Sequence, residues 1–126
     1  MKKLIACILF LAVIFALCLF NTYTISQRTE NMISILHECE DAAIKDDYNS
    51  AKDLLTQTRE LWERDNVYFC SVLRHSETDE VYTEFSTAFA ALDAGDFEDF
   101  VCHVAQIRSF LELIKETELF TIANIL

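Results

Sequence analysis

Among its 126 residues the chain has a single glycine, Gly95, and no proline. Tight turns, hairpins and phosphate-cradling loops lean on these two residues. Their scarcity excludes a sheet-rich fold, a nucleotide-binding loop and a strand–turn–helix nucleophile elbow. No Gly-x-Ser-x-Gly and no His-Glu-x-x-His occurs. No stretch alternates with period two between turn signals. Basic residues are also few, 10 against 21 acidic. Lys2 and Lys3 precede an apolar run, so residues 21–126 hold eight basic and all 21 acidic side chains, a net of −13 with histidine neutral. Such a surface repels nucleic acid, and no basic, aromatic-studded patch offsets it, so no nucleic-acid partner is expected. What remains, rich in Leu, Ala, Glu and Asp, is the composition of an all-α protein.

The apolar run is Leu4 to Phe20, seventeen residues without a polar side chain. As a helix it reaches about 25 Å, at the short end of a membrane span, and Tyr23 stands where an interfacial aromatic belongs. The bilayer is thus the first expected partner. Lys2 and Lys3 flank one side, and the other has only Arg28 within twenty residues. The positive-inside rule places the N-terminus in the cytoplasm and residues 21–126 outside a cell membrane crossed once. A cleaved signal peptide is the rival, but the run is long for one and Ala16-Leu17-Cys18 and Thr24-Ile25-Ser26 are poor cleavage sites. A lipobox reading of Leu4-Ile5-Ala6-Cys7 lacks a preceding apolar segment, and Cys18 follows Leu17 where a small residue is needed. The division is an anchor, residues 1–24, and an acidic helical-bundle domain, residues 25–126.

Ile25, Thr29, Met32, Leu36, Cys39 and Ala43 follow steps of four and three, one face of a helix. No breaker separates them from the anchor, so anchor and first bundle helix form one rod. Asp46 and Asp47 end it and cap a second helix, Tyr48 to Arg74, with Ala51, Leu55, Thr58, Trp62, Phe69 and Val72 inward and Leu54, Leu61, Tyr68 and Leu73 beside them. Ser76 with Asp79 reads as the start of a third helix, lined by Val81, Phe85, Ala88, Phe89 and Leu92 and ended by Gly95. Asp96 caps a fourth, with Phe97, Phe100, Val104, Ile107, Leu111 and Ile114 inward. The closing apolar segment from Leu119 is expected to pack back on the bundle, because a free apolar tail is sticky. The fold class is therefore all-α: one N-terminal transmembrane helix continuing into a small antiparallel bundle of about four helices.

There is an internal echo. Asp47-Tyr48 and Asp96-Phe97 stand 49 positions apart, and at that offset Gln57, Arg59 and Glu63 match Gln106, Arg108 and Glu112. Two helical hairpins of one kind produce this, as does coincidence between amphipathic helices. The period exceeds that of a tetratricopeptide array.

A Lys-led apolar start, Tyr48 opening a helix with Ala51, Leu61-Trp62, Phe69, His75-x-Glu77 and the closing Leu119 with Asn124-Ile125-Leu126 carry a resemblance over nearly the whole chain. The sequence resembles domain-of-unknown-function family 4363, small, singly anchored proteins of Gram-positive, often spore-forming, bacteria. It departs from the family in its acidity and cysteines. The resemblance implies a membrane-anchored helical bundle and no activity.

The most distinctive polar pair is His75 with Glu77, a weak candidate metal or proton site, with His37 or His103 as further ligands. The structural alternative is a histidine at a helix end and an acid in the next helix's first turn. His37-Glu38-Cys39-Glu40 cannot converge, since successive helix positions face different ways. Cys39, Cys70 and Cys102 allow one disulfide at most, Cys39–Cys70 or Cys70–Cys102, if Cα atoms approach within about 7 Å; cysteine at helical spacing is more often a small core residue. Trp62, Tyr68 and Phe69 read as core before ligand platform. The acidic groups Asp41, Asp46, Asp47 and Asp93, Asp96, Glu98, Asp99 read as solvated caps, with no EF-hand pattern. No cofactor and no enzyme activity are expected. The sequence points to a non-enzymatic interaction or structural module with an unidentified protein partner; a metal- or pH-responsive sensor using His75 and Glu77 is the alternative.

Overall fold

A computed structural model describes every residue except Leu73 and Leu126, with side chains for all others but Cys70, Ser71, Val72, His75, Thr121, Ile122 and Ile125. Four helices follow in order: α1 Lys2–Ile44, α2 Tyr48–Val72, α3 His75–Asp93 and α4 Phe97–Ile125. No strand occurs among the described residues.

The expected rod is present. α1 is 43 residues long, about 65 Å, with no glycine or proline to hinge it. Its first twenty residues are exposed on every side, and this half is long and apolar enough to cross a membrane. Burial begins at Thr22 and runs through Ile25, Thr29, Met32, Leu36, Cys39 and Ala43, the stripe read from the sequence. The buried Thr29 hydroxyl donates to the Ile25 carbonyl at 2.8 Å, so this polar group in the core has a partner. One helix therefore serves as an uncovered apolar sleeve at one end and as a core element at the other. The end of the bundle where the sleeve leaves is called proximal, the opposite end distal.

α1 packs against α2 and α4, and α3 against α4 and, less extensively, α2. α4 runs antiparallel to α1, as Glu40 meets Arg108 and Glu30 meets Lys115 further down. The core joins Met32 and Leu36 of α1, Leu55, Trp62 and Phe69 of α2, Phe85 of α3, and Phe100, Ile107 and Leu111 of α4. Trp62 and Phe69 stack with centroids 4.9 Å apart, as core residues. Cys39 is fully buried and its thiol reaches the Ala51 carbonyl at 3.2 Å.

The echo at 49 positions is structural. After α1, the Lys45, Asp46 and Asp47 amides donate to the carbonyls of Asp41, Ala43 and Ala42; after α3, those of Ala94, Gly95 and Asp96 donate to Ala90, Leu92 and Ala91, each partner displaced by 49. Asp46 and Gly95 take left-handed φ of 58° and 76°. Asp47 and Asp96 each accept from the amide three residues on, Ser50 and Asp99, at 3.2 Å. Buried positions correspond too: Thr29 with Thr78, Met32 with Val81, Leu36 with Phe85, Leu55 with Val104, Trp62 with Leu111. The bundle is two like hairpins, and Tyr48 stacks on its counterpart Phe97 at 3.7 Å, where the axis relating them passes.

Several expectations change. α3 starts at His75 with Arg74, not Ser76, as N-cap: Arg74 is extended, and the Glu77 carboxylate accepts its amide at 3.3 Å. Phe97 is not core; the stack on Tyr48 leaves it partly exposed. The segment from Leu119 does not fold back. It is the last part of α4, with Leu119 48% and Phe120 67% exposed. The expected places of Val72, Leu73 and the residues from Thr121 lie outside the described side chains, apart from Ala123 and Asn124.

A Cβ on Gly95 would meet nothing within 4 Å, so replacement costs only backbone strain. Gly95→Ala should lower unfolding stability by about 1 kcal/mol, and Gly95→Asn by less, since asparagine tolerates this region. Denaturant unfolding of the detergent-solubilised chain, followed by helical circular dichroism, measures both.

Candidate functional site

Asp65 lies on the inward stripe of α2, between Trp62 and Phe69, and is buried. A buried carboxylate is costly unless a cation and hydrogen bonds meet it. Arg28 of α1 supplies both, with Nη1 at 2.5 Å from Oδ1. Arg64 Nε stands 3.4 Å from the same oxygen. The Arg28 guanidinium also lies 4.8 Å over the Tyr68 ring, a cation–π contact. The Tyr68 hydroxyl donates to the backbone and side-chain oxygens of Asn21, the backbone bond being 3.2 Å. Burial pushes the Tyr68 phenol up against a lesser downward pull from Arg28, so it stays a donor.

Asn21, Arg28, Asp65 and Tyr68 thus form a clamp between α1 and α2 at the proximal end, beginning one residue past the apolar run. Hydrophobic packing alone lets a helix slide or turn about its axis. Directional bonds at Asn21 and Arg28 fix both rotation and height of α1 where it leaves the bundle. The sequence stripe passed from Trp62 to Phe69 without naming Asp65. The usable signal was a charged residue in register with that stripe, and Arg28 as the lone base on the anchor's far flank.

Of the candidates expected from the sequence, Glu77, His37 and His103 stand apart among the described side chains. The His75 side chain lies outside the described residues. Glu77 closes the first turn of α3 and lines a cavity of about 210 Å³ with Glu80, Phe110, Ile114 and Glu118. Glu118 is raised above the usual carboxylate range by burial first and by the charge of Glu77 second. His37 is on an open groove of about 560 Å³ between α1 and α4, with Glu30, Ile33, Glu112, Lys115 and Leu119. His103 faces α3 instead, so these two histidines are not neighbours. Among the described residues no three His, Cys, Asp or Glu side chains converge as metal ligands. Cys39 and Cys102 are free thiols, and the pairings with Cys70 fall outside the described residues. Burial, and then Glu40, pushes the Cys39 thiol up to about 12. The Asp47 and Asp96 carboxylates are helix caps.

His103, in the sequence no more than a further ligand for His75 and Glu77, has partners of its own. Its Nδ1 lies 2.6 Å from Glu84 Oε2 and its Nε2 3.5 Å from Asp99 Oδ2. The Gln106 amide, with its NH2 toward Glu84, donates to that carboxylate at 2.8 Å. The bond to Glu84 raises the imidazole above its ordinary value, against a smaller lowering by burial. This is a charged tie between α3 and α4.

Two expectations follow. Asp65→Ala should cost about 2 kcal/mol, the scale of a hydrogen bond to a charged group, whereas Lys52→Ala, at the exposed Lys52–Asp93 pair, should cost less than about 0.5 kcal/mol. Unfolding midpoints of the two variants compare them. For His103 the folded pKa exceeds the unfolded one, so its stabilisation is full below the unfolded value, about 6.5, and is lost as pH rises through the folded value. Stability followed from mildly acidic to alkaline pH should show this loss, and His103→Ala should remove it.

The family model described as domain of unknown function, DUF4363, matches residues 19–125, and the chain belongs to that family. No curated protein and no solved structure matches it.

Proposed function

We propose that this DUF4363 protein is a non-enzymatic, membrane-tethered bundle that acts through protein contacts at the outer face of the cytoplasmic membrane. One observation carries the reading: α1 is a single helix whose apolar half nothing covers and whose other half is the centre of the bundle. A tag that only retained the domain would need no such continuity. A rod clamped at Asn21 and Arg28 passes rotation, tilt or pairing in the membrane to the bundle without a hinge. Lys2 and Lys3 before the span and the acidic domain after it support an N-terminus inside and residues 21–126 outside. The net negative bundle favours a partner with a basic face, and the uncovered helix a partner that packs in the membrane.

A second reading, a pH- or metal-responsive sensor at His75 and Glu77, draws support from the raised Glu118 beside Glu77. Protonation of Glu118 would relieve their repulsion at the turn where α2 meets α3.

Cys102 tests the topology, being exposed on the bundle while Cys39 is buried with its pKa raised. In a Cys70→Ser background a membrane-impermeant maleimide should label intact cells, and adding Cys102→Ser should abolish that label; labelling that needs permeabilised cells would remove the outer-face reading. Crosslinking in native membranes should then give a discrete heavier species, and monomer alone would count against an interaction role. If that species responds to pH or added metal and His75→Gln abolishes the response with folding intact, the sensor reading prevails.

A further inference from the structure

α4 ends at Ile125. Lys115 pairs with Glu30 of the antiparallel α1, so five residues on, Phe120 stands level with Ile25, and the end of α4 is level with Phe20. The last turns of α4 therefore come down beside the point where α1 enters its apolar sleeve. After Glu118 the sequence is Leu119-Phe120-Thr121-Ile122-Ala123-Asn124-Ile125-Leu126, without a charge. Leu119 and Phe120 are 48% and 67% exposed there. α2 reaches the same level, since Tyr68 bonds Asn21, and its Val67 is 83% exposed. Tyr23 of α1 is 64% exposed. Three helices thus present uncovered apolar side chains at one end of the bundle, in continuity with the apolar sleeve.

In water that rim is unfavourable, by about 25 cal/mol for each Å² of apolar surface left wet. Its occupant is set by its position. Whatever surrounds Phe20 of the spanning helix lies within one or two helical turns of Leu119 and Phe120. We infer that the proximal rim of the bundle is a second membrane contact: Tyr23, Val67, Leu119 and Phe120 seat in the headgroup–acyl boundary, with α4 dipping its last turns into the bilayer surface beside α1. Aromatic and aliphatic side chains partition into this layer, where headgroups and water still satisfy the free carbonyls at a helix end. Glu116 and Glu118 just above the rim match a zwitterionic surface better than an anionic one. The exposed Arg74 at the α2–α3 turn stands at the same end, where a headgroup phosphate is the available anion. The bundle then stands on two legs, and its tilt is fixed relative to the membrane plane.

The inference rests on the anchoring reading, and one experiment separates the two. The chain's single tryptophan, Trp62, is buried in the bundle, so an added tryptophan reports its own surroundings. The full chain is reconstituted in phosphatidylcholine vesicles whose lipids carry bromine, a contact quencher, either near the glycerol or near the acyl-chain ends. Phe120→Trp is conservative and exposed, and its helicity is compared with that of the unaltered chain. Its added emission should be lost with bromine near the glycerol and kept with bromine near the chain ends. Phe15→Trp, in the anchor, should be quenched by the deep bromines. If Phe15→Trp is quenched and Phe120→Trp emits unchanged with both lipids, the rim faces water or another protein; the second contact is overturned and the anchor stands. If neither is quenched, both readings fall.

Discussion

One unbroken helix has to satisfy two surroundings, and the rest of the molecule depends on that. The apolar half of α1 is long and apolar enough to cross a membrane, and as a helix it pairs its backbone amides and carbonyls inside the segment, as hydrocarbon would require. In the bundle the same helix must bury a stripe and expose the rest, which Ile25, Met32, Leu36 and Cys39 do. With no glycine or proline in α1, the stripe's phase is inherited from the apolar half. The bundle cannot turn about α1 to find its best packing independently of the segment below.

That inheritance accounts for the placing of the polar groups. Apolar contacts tolerate small rotations and slips, whereas the Arg28–Asp65 bond at 2.5 Å and the Tyr68–Asn21 bonds do not. They sit at the proximal end, where α1 leaves the bundle. The distal end has a different tie, the Tyr48–Phe97 stack across the pseudo-axis. Between them arginines at equivalent positions have different partners. Arg59 lies 4.5 Å over Phe89, and Arg108 binds Glu40 and Glu112 at 3.0 Å each. Each reaches from the second helix of one hairpin to matching positions, 89 and 40, on the first helix of the other. One geometry is held by a cation–π contact on one side and by ion pairs on the other.

The architecture was legible because each helix carries its stripe at steps of three and four, and because Asp46–Asp47 and Gly95–Asp96 mark the two like turns. The 49-residue echo was weak in identities, since two like hairpins need share only volume and polarity pattern, not residues: Trp62 answers to Leu111, and Met32 to Val81. The clamp was hidden for a related reason. A stripe is recognised by its apolar members, so Asp65 appeared as a gap, and its partner Arg28 is 37 positions away on another helix. His75 and Glu77 attract notice by proximity in sequence; Glu77 has a local task as the acceptor for the Arg74 amide, and the His75 side chain lies outside the described residues.

The apolar end of α4 shows where reasoning from water as the only solvent misleads. Leu119 and Phe120 call for cover if water surrounds them, and folding back on the bundle is the obvious answer. Openings exist there, the cavity beside Ile114 and the groove beside Leu119, but α4 stays one helix to Ile125 and turns into neither. α4 instead continues straight, alongside α1 and toward the level of Phe20. The last part of α4 keeps Leu119 and Phe120 exposed there. Its composition is accounted for once the layer flanking the span counts as a third surrounding, neither water nor core. On the proposed reading, with α1 held by a span and α4 by that layer, the hairpins on either side of the pseudo-axis would each have one footing, and a change in the membrane would act on the α1–α4 seam at the centre of the bundle.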